Sequence, residues 1–156
     1  MIVLDIMVEG LPQAQGSKIQ TPSGGLREAN KNLRPWRDTL HYHMRDTFKG
    51  ETVRVPVKVS LVFSFNRPKY HYNKLGLKKA APLFKGTKPD LDKLTRAVLD
   101  SLTTAKVISD DALVSSLTAT KMYTEGTPGA LIRVETEREV MNGDDDDAEE
   151  GEKVGA

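Results

Sequence analysis

Four aspartates stand in two tight pairs, Asp90 with Asp92 and Asp110 with Asp111, on either side of an apolar stretch of helical period. Two carboxylates this close in sequence repel each other unless a cation or a proton relieves them. Three or more converging in a basic surface make an oxygen-rich site of the kind Mg²⁺ or Mn²⁺ prefers, with water completing the coordination. Such an ion activates water, orients it for in-line attack and offsets charge building on phosphorus. An ordinary structural role competes. Pro89 biases Lys88 towards an extended conformation, and Asp90 or Asp92 then caps the helix that follows. A cap explains one aspartate well and two less well. After the helix the chain turns back, and the expectation is that Asp110 and Asp111 return near its start.

Cations surround this cluster in the sequence. Residues 66–89 carry Arg67, Lys69, Lys74, Lys78, Lys79, Lys85 and Lys88 with no acidic residue, so nothing in that loop neutralises them locally. The whole chain has 23 Lys and Arg against 22 Asp and Glu, a net charge of +1, but the last twenty residues hold nine acidic and two basic. Residues 1–136 are left with 21 basic and 13 acidic residues, a charge of +8 facing a tail of −7. A basic body points to nucleic acid, whose phosphates supply the sequence-independent part of binding. Lys18 and Arg27, in an earlier Gly- and Ser-rich loop, are further candidates for backbone contact. Tyr70, Tyr72 and Phe84 suit either stacking on unpaired bases or anchoring the basic loop.

The elements that position these residues are legible as periods. Residues 2–8 are apolar and β-branched and read as a buried strand. A loop over residues 10–33 precedes a helix from Pro35 to about Phe48, with Trp36, Leu40, His43 or Met44, and Thr47 at helical spacing. Trp36 suits the core or a dimer interface equally. His41 and His43 face different ways and are poor joint metal ligands, so packing is their expected role. From Val53 to Phe65 apolar residues alternate, with Val55 and Val57 on the core face. A second helix runs from Asp90 to Ala105, burying Leu91, Leu94, Val98, Leu102 and Ala105, while Asp92, Arg96 and Asp100 step along its other side. Residues 113–123 and 130–136 read as a hairpin joined through the turn sequence Glu125-Gly126-Thr127-Pro128-Gly129. The order β-α-β-α-β-β predicts an α+β fold, with helices packed on one face of a mixed or antiparallel sheet.

The segment from Lys88-Pro89-Asp90-Leu91-Asp92-Lys93 through Arg96 and Asp100 to Leu102, followed by Val107-Ile108-Ser109-Asp110-Asp111, resembles the signature of the RusA-type Holliday junction resolvases. The likeness extends to Gly10-Leu11-Pro12, to residues 67–72 and to Lys121-Met122-Tyr123, covering most of residues 1–136. It implies metal ligands at Asp90, Asp92 and Asp111, with Asp110 beside them. It also implies a homodimer that nicks opposing strands of a four-way junction with Mg²⁺. Two positions depart from the pattern, which has Asn and Lys where this chain has Lys93 and Arg96. Arg96 keeps the charge but binds phosphate in a planar, bidentate manner. Its structural alternative is an ion pair with Asp92 or Asp100.

Length and composition bound the rest. A chain of 156 residues fits one domain, 1–136, with an acidic, disordered tail over 137–156. The absence of cysteine excludes disulfides, thiolate zinc sites and cysteine nucleophiles. No leader or membrane-spanning segment is apparent, which gives the expectation of a cytoplasmic protein, phage-encoded in a host cytoplasm and independent of membranes. Two rivals to a junction nuclease stay open: a branched-DNA-binding module whose aspartates only cap, and a metal nuclease acting on flaps or single strands.

Overall fold

The computed structural model describes residues 1–16 and 18–137. Its frame is a four-stranded mixed sheet. Strand β1 (Ile2–Glu9) is followed by a small hairpin of β2 (Lys18–Gln20) and β3 (Leu26–Glu28), then by helix α1 (Leu33–Thr47). Strand β4 (Val57–Asn66) leads into a second small hairpin, β5 (Tyr72–Asn73) and β6 (Gly76–Leu77). Helix α2 (Leu91–Thr104) and strands β7 (Val114–Thr124) and β8 (Gly129–Thr136) complete the order.

The sheet runs β1-β8-β4-β7, with β8 antiparallel to both its neighbours and β7 parallel to β4. The predicted β7–β8 hairpin is therefore not formed. Its turn signal is real, but the connection passes over the end of β4, which lies between the two strands. Asn66 Nδ2 donates to Gly126 O there (3.0 Å) and holds the crossing in place. β4 is the strand most able to sit centrally, since Val57, Val59, Leu61, Phe63 and Phe65 are all buried on one face.

Both helices cover that face. Leu33, Trp36, Leu40 and Met44 of α1 and Leu94, Ala97, Val98 and Leu102 of α2 join Leu4, Val8, Ile132 and Val134 in one core. The opposite face, with Asp5, Lys58, Thr118 and Arg133, is uncovered, so the predicted α+β layering holds. α1 starts two residues before Pro35, which is tolerated in a first turn because the N–H it lacks would be unpaired there anyway. Trp36 belongs to the core. It packs on Gly10, where a Cβ would come within 3.2 Å of the indole.

β4 begins at Val57 rather than Val53. Pro56 has no N–H for a ladder, Val55 is 49% exposed, and Val53 pairs instead with the chain after α2 (Val53 N to Val107 O, 2.9 Å). Of the acidic tail, Glu137 is still part of the domain, accepting from the Ser115 and Ser116 hydroxyls. The remaining tail residues lie outside those described. No helix among the described residues is long and apolar enough to cross a membrane.

Candidate catalytic site and nucleic-acid interface

The Asp90 end of α2 is built by a loop tied to β7. Residues 83–85 add to the edge of β7, Tyr123 N donating to Leu83 O (2.9 Å) and Lys85 N to Lys121 O (3.1 Å). Lys121 Nζ then donates to the carbonyls of Thr87 (2.6 Å) and Pro89 (2.7 Å), fixing the approach to the helix. Lys121 was no candidate from sequence, because its acceptors are carbonyls more than thirty residues away.

Asp90 occupies the N-cap position of α2, yet its side chain makes no capping hydrogen bond. Its Oδ2 lies 3.9 Å from Lys93 Nζ, and half of the side chain is exposed. It opens on a hollow of about 430 Å³ lined also by Leu11, Phe65, Lys85, Lys88 and Lys93. Asp92, in the first turn, is exposed and borders a separate apolar hollow with Leu91, Thr95, Leu117 and Ala119. Arg96 is exposed one turn further on and forms no ion pair with Asp92 or Asp100 among the described residues.

Asp110 and Asp111 do not return to the start of α2. They follow its end, where Ser109 N donates to Val53 O (3.0 Å) before the chain enters β7. The reason is the parallel pairing of β4 with β7: Val114 pairs beside Val57 at the start of β4, whereas Lys121, the residue that holds Pro89, pairs with Phe63 near its end. The seven-residue run between them spans about 23 Å at strand rise. Asp110 is a cap, its Oδ1 accepting from Ala112 N (2.9 Å). The Asp111 carboxyl is held above its ordinary range by desolvation first, although the residue as a whole is exposed. The hydrogen bond and charge of Asp110 and the charge of Asp100 act in the same direction. Among the described residues no three His, Asp or Glu side chains are grouped closely enough to hold an ion.

A strand of loop crosses between the two ends. Gln15 N donates to Lys93 O (3.0 Å), and its Nε2 donates to Asp100 Oδ2. Gly16 lies directly over Arg96, whose guanidinium occupies the place a Cβ would take. The residues with carboxylate or guanidinium groups on the outer side of α2 thus line a surface roofed at its middle by residues 15 and 16.

The basic loop is structured, and its cations divide. The Arg67 side chain is 7% exposed and is the loop's internal clamp. It donates to Glu125 Oε2 (2.7 Å) and Pro82 O (2.6 Å) and sits over the Tyr123 ring. The neutralising acid comes from the β7–β8 connection, 58 residues on, which is why the loop alone gave no hint of it. Tyr72 OH shares the same carboxylate (2.9 Å). Lys85 lies over the Phe65 and Tyr123 rings and donates to Thr87 Oγ1 (2.9 Å). Lys69, Lys74, Lys78, Lys79 and Lys88 are exposed, as are Tyr70 and Phe84.

Lys18 and Arg27, one on each strand of the β2–β3 hairpin, line a hollow of about 930 Å³ with Lys31, Arg34, Arg37 and His41. Arg34, Arg37 and His41 recur at three- and four-residue steps on the outer side of α1, a spacing that marks them as one face, and Lys31 stands just before the helix. His41 is exposed there rather than packed, while His43 is half-buried against the Tyr42 ring. Lys18 also lies 3.7 Å from Glu28, the acid of this otherwise basic rim together with Asp38.

In comparison with known families, the family described as endodeoxyribonuclease RusA matches residues 9–135. That span contains α1, α2, β4, β7 and both aspartate pairs. No curated protein matches the chain.

Proposed function

The chain belongs to the RusA endodeoxyribonuclease family, a family of Holliday junction resolvases, and from that premise we propose a Mg²⁺-dependent homodimer that resolves four-way DNA junctions by paired nicks. The observation that carries the reading is the state of Asp90. It stands where a cap belongs and does not cap, so its carboxylate and that of Asp92 are available at the start of α2. Asp111 is crowded by Asp110 and Asp100, a surplus of negative charge that a cation relieves. The donors are all hard carboxylate oxygens, which fits Mg²⁺ or Mn²⁺ and no softer ion.

In this reading Asp90, Asp92 and Asp111 hold the ion, which supplies activation of water and stabilisation of charge on the phosphoryl oxygens when bound. Asp110 positions the turn that presents Asp111. Arg96, exposed and without an aspartate partner among the described residues, meets the phosphate bidentately, and Lys93 offers a point charge beside Asp90. Since Asp90 and Asp111 are at opposite ends of α2, a helix about 21 Å long, one chain does not gather all three ligands. The site then draws on two copies, the start of α2 in one and the Asp111 turn in the other, and a two-fold dimer carries two such sites. Lys18, Arg27, Lys69, Lys74, Lys78, Lys79 and Lys88 hold the DNA backbone, with Lys85 and Arg67 stiffening the loop that presents them.

The test is a labelled four-way junction offered with and without Mg²⁺ beside a flap, a single strand and a plain duplex. Paired, Mg²⁺-dependent nicks in the junction are expected. Preference for the flap or single strand overturns the substrate, and binding with no cutting of any branched DNA leaves a binding module.

A further inference from the structure

We infer that the β5–β6 hairpin is a wedge, and that Leu75 at its tip inserts between bases at the branch point of a DNA junction. The inference rests on the DNA-junction reading above and adds the residue that would tell a branch from a duplex.

Register makes the tip. Tyr72 pairs with Leu77 and Asn73 with Gly76, so Lys74 and Leu75 form a two-residue turn. Two local features fix it: Asn73 Oδ1 accepts from Leu75 N (2.9 Å), and Gly76 takes φ +110°, a conformation few residues other than glycine adopt. Leu75 is left 98% exposed. It contributes nothing to the core, and an isolated exposed leucine is ordinary by itself.

What surrounds it is not ordinary. The base of the hairpin is held rigidly. His71 is buried between the rings of Tyr70 (4.9 Å) and Tyr123 (4.8 Å), Lys78 N donates to His71 O (2.9 Å), and Tyr72 OH is tied to Glu125 (2.9 Å). Lys69, Lys74, Lys78 and Lys79 flank the tip, all exposed, and none of them forms an ion pair among the described residues. An apolar point on a stiff stalk framed by lysines matches the two surfaces of nucleic acid, phosphates outside and stacked bases within. Proteins that kink DNA insert leucine and similar side chains between base steps in this way, against the cost of unstacking. At a branch point stacking is already interrupted, so insertion is cheapest there and the wedge favours junctions over linear duplex.

The experiment uses the full chain and a four-way junction carrying 2-aminopurine at the branch point, bound without divalent metal so that nothing is cut. Wild type should raise the fluorescence as the base unstacks. Leu75→Ser should lose most of that rise and cut junctions about tenfold more slowly with Mg²⁺, while duplex affinity stays within about twofold because the lysines remain. Leu75→Met, long and apolar, should restore both. An undiminished rise and rate in Leu75→Ser overturns the wedge. So does a smaller sedimenting species for that variant, which would make the tip a contact between copies. A wild type that never cuts the junction defeats the nuclease reading alone, since the fluorescence still reports on the wedge.

Discussion

Asp90 is a carboxylate kept out of its ordinary duty at a helix start, and that separates its structural from its chemical worth. Replacing Asp90, Asp92 or Asp111 by Asn should alter the melting free energy by only a few tenths of a kcal/mol, because none of the three makes a side-chain cap that would be lost and the first-turn dipole contribution is small. Mg²⁺-dependent junction cutting should nevertheless fall by orders of magnitude in each, measured as single-turnover rates. Full cutting by all three variants would remove the assigned ligands. His71 makes a second residue-scale prediction. Its burial first, and then the positive charges of Arg67, Lys78 and Lys85, hold its pKa below the ordinary 6.5, with Glu125 opposing. The unfolded chain therefore binds the extra proton, so stability should decline as pH falls from 6.5 towards the depressed folded value and rise again in the opposite direction. Thermal melts across that window should show the slope in wild type and lose it in His71→Gln. The spacing of Asp90 and Asp92 marked them as candidates beside an ordinary capping role, and Asp90 makes no side-chain cap. Arg67 was not, since its role depends on Glu125, and a lysine such as Lys121 that serves distant carbonyls leaves no mark in sequence.

The elements were legible wherever a period ran long enough. α1 and α2 announced themselves through Trp36, Leu40 and Met44, and through Leu94, Val98 and Leu102, all buried as a 3.6-residue stripe requires, while Leu33, read as loop, proved to open α1. The two small hairpins, with strands of two and three residues, are too short to show alternation. Partnership was the harder matter. The β7–β8 turn looks local, and only the even burial of β4 indicates that it belongs in the middle. Gly129, where β8 starts, tests that arrangement. A Cβ there would collide with the backbone carbonyl of Val8 on β1, and a backbone atom in a ladder has nowhere to move. Gly129→Ala should cost about 1–3 kcal/mol by overpacking, read from denaturant unfolding, with hydrogen exchange rising first along β1. An unchanged midpoint would mean that β1 and β8 are further apart than their register indicates.

For the whole molecule the separation of Asp90 from Asp111 has a direct genetic reading. Asp90→Asn chains mixed with Asp111→Asn chains should regain activity, because half the dimers are mixed and each of those keeps one intact site, about a quarter of the wild-type nicking. Joint nicking of both strands should not return. A mixture as inactive as either parent confines the carboxylates to one chain. Charge acts at the same scale: log affinity for a junction should fall by about 0.9 per phosphate neutralised for each decade of salt, and Lys78→Ala with Lys79→Ala should flatten that slope. An equal slope in the double variant takes this part of the loop off the DNA. The pairing of β1 with β8 has a consequence for how the protein is made. Ile2 opposes Glu135, and β8 also completes β4, so β1 waits for a strand more than a hundred residues further along the chain before it has a neighbour in the sheet. A nascent chain lacking β8 has neither a closed sheet nor a fixed β1, and a prematurely stopped one never acquires them. The sheet of β1, β8 and β4 therefore closes in a single step, once β8 has been made.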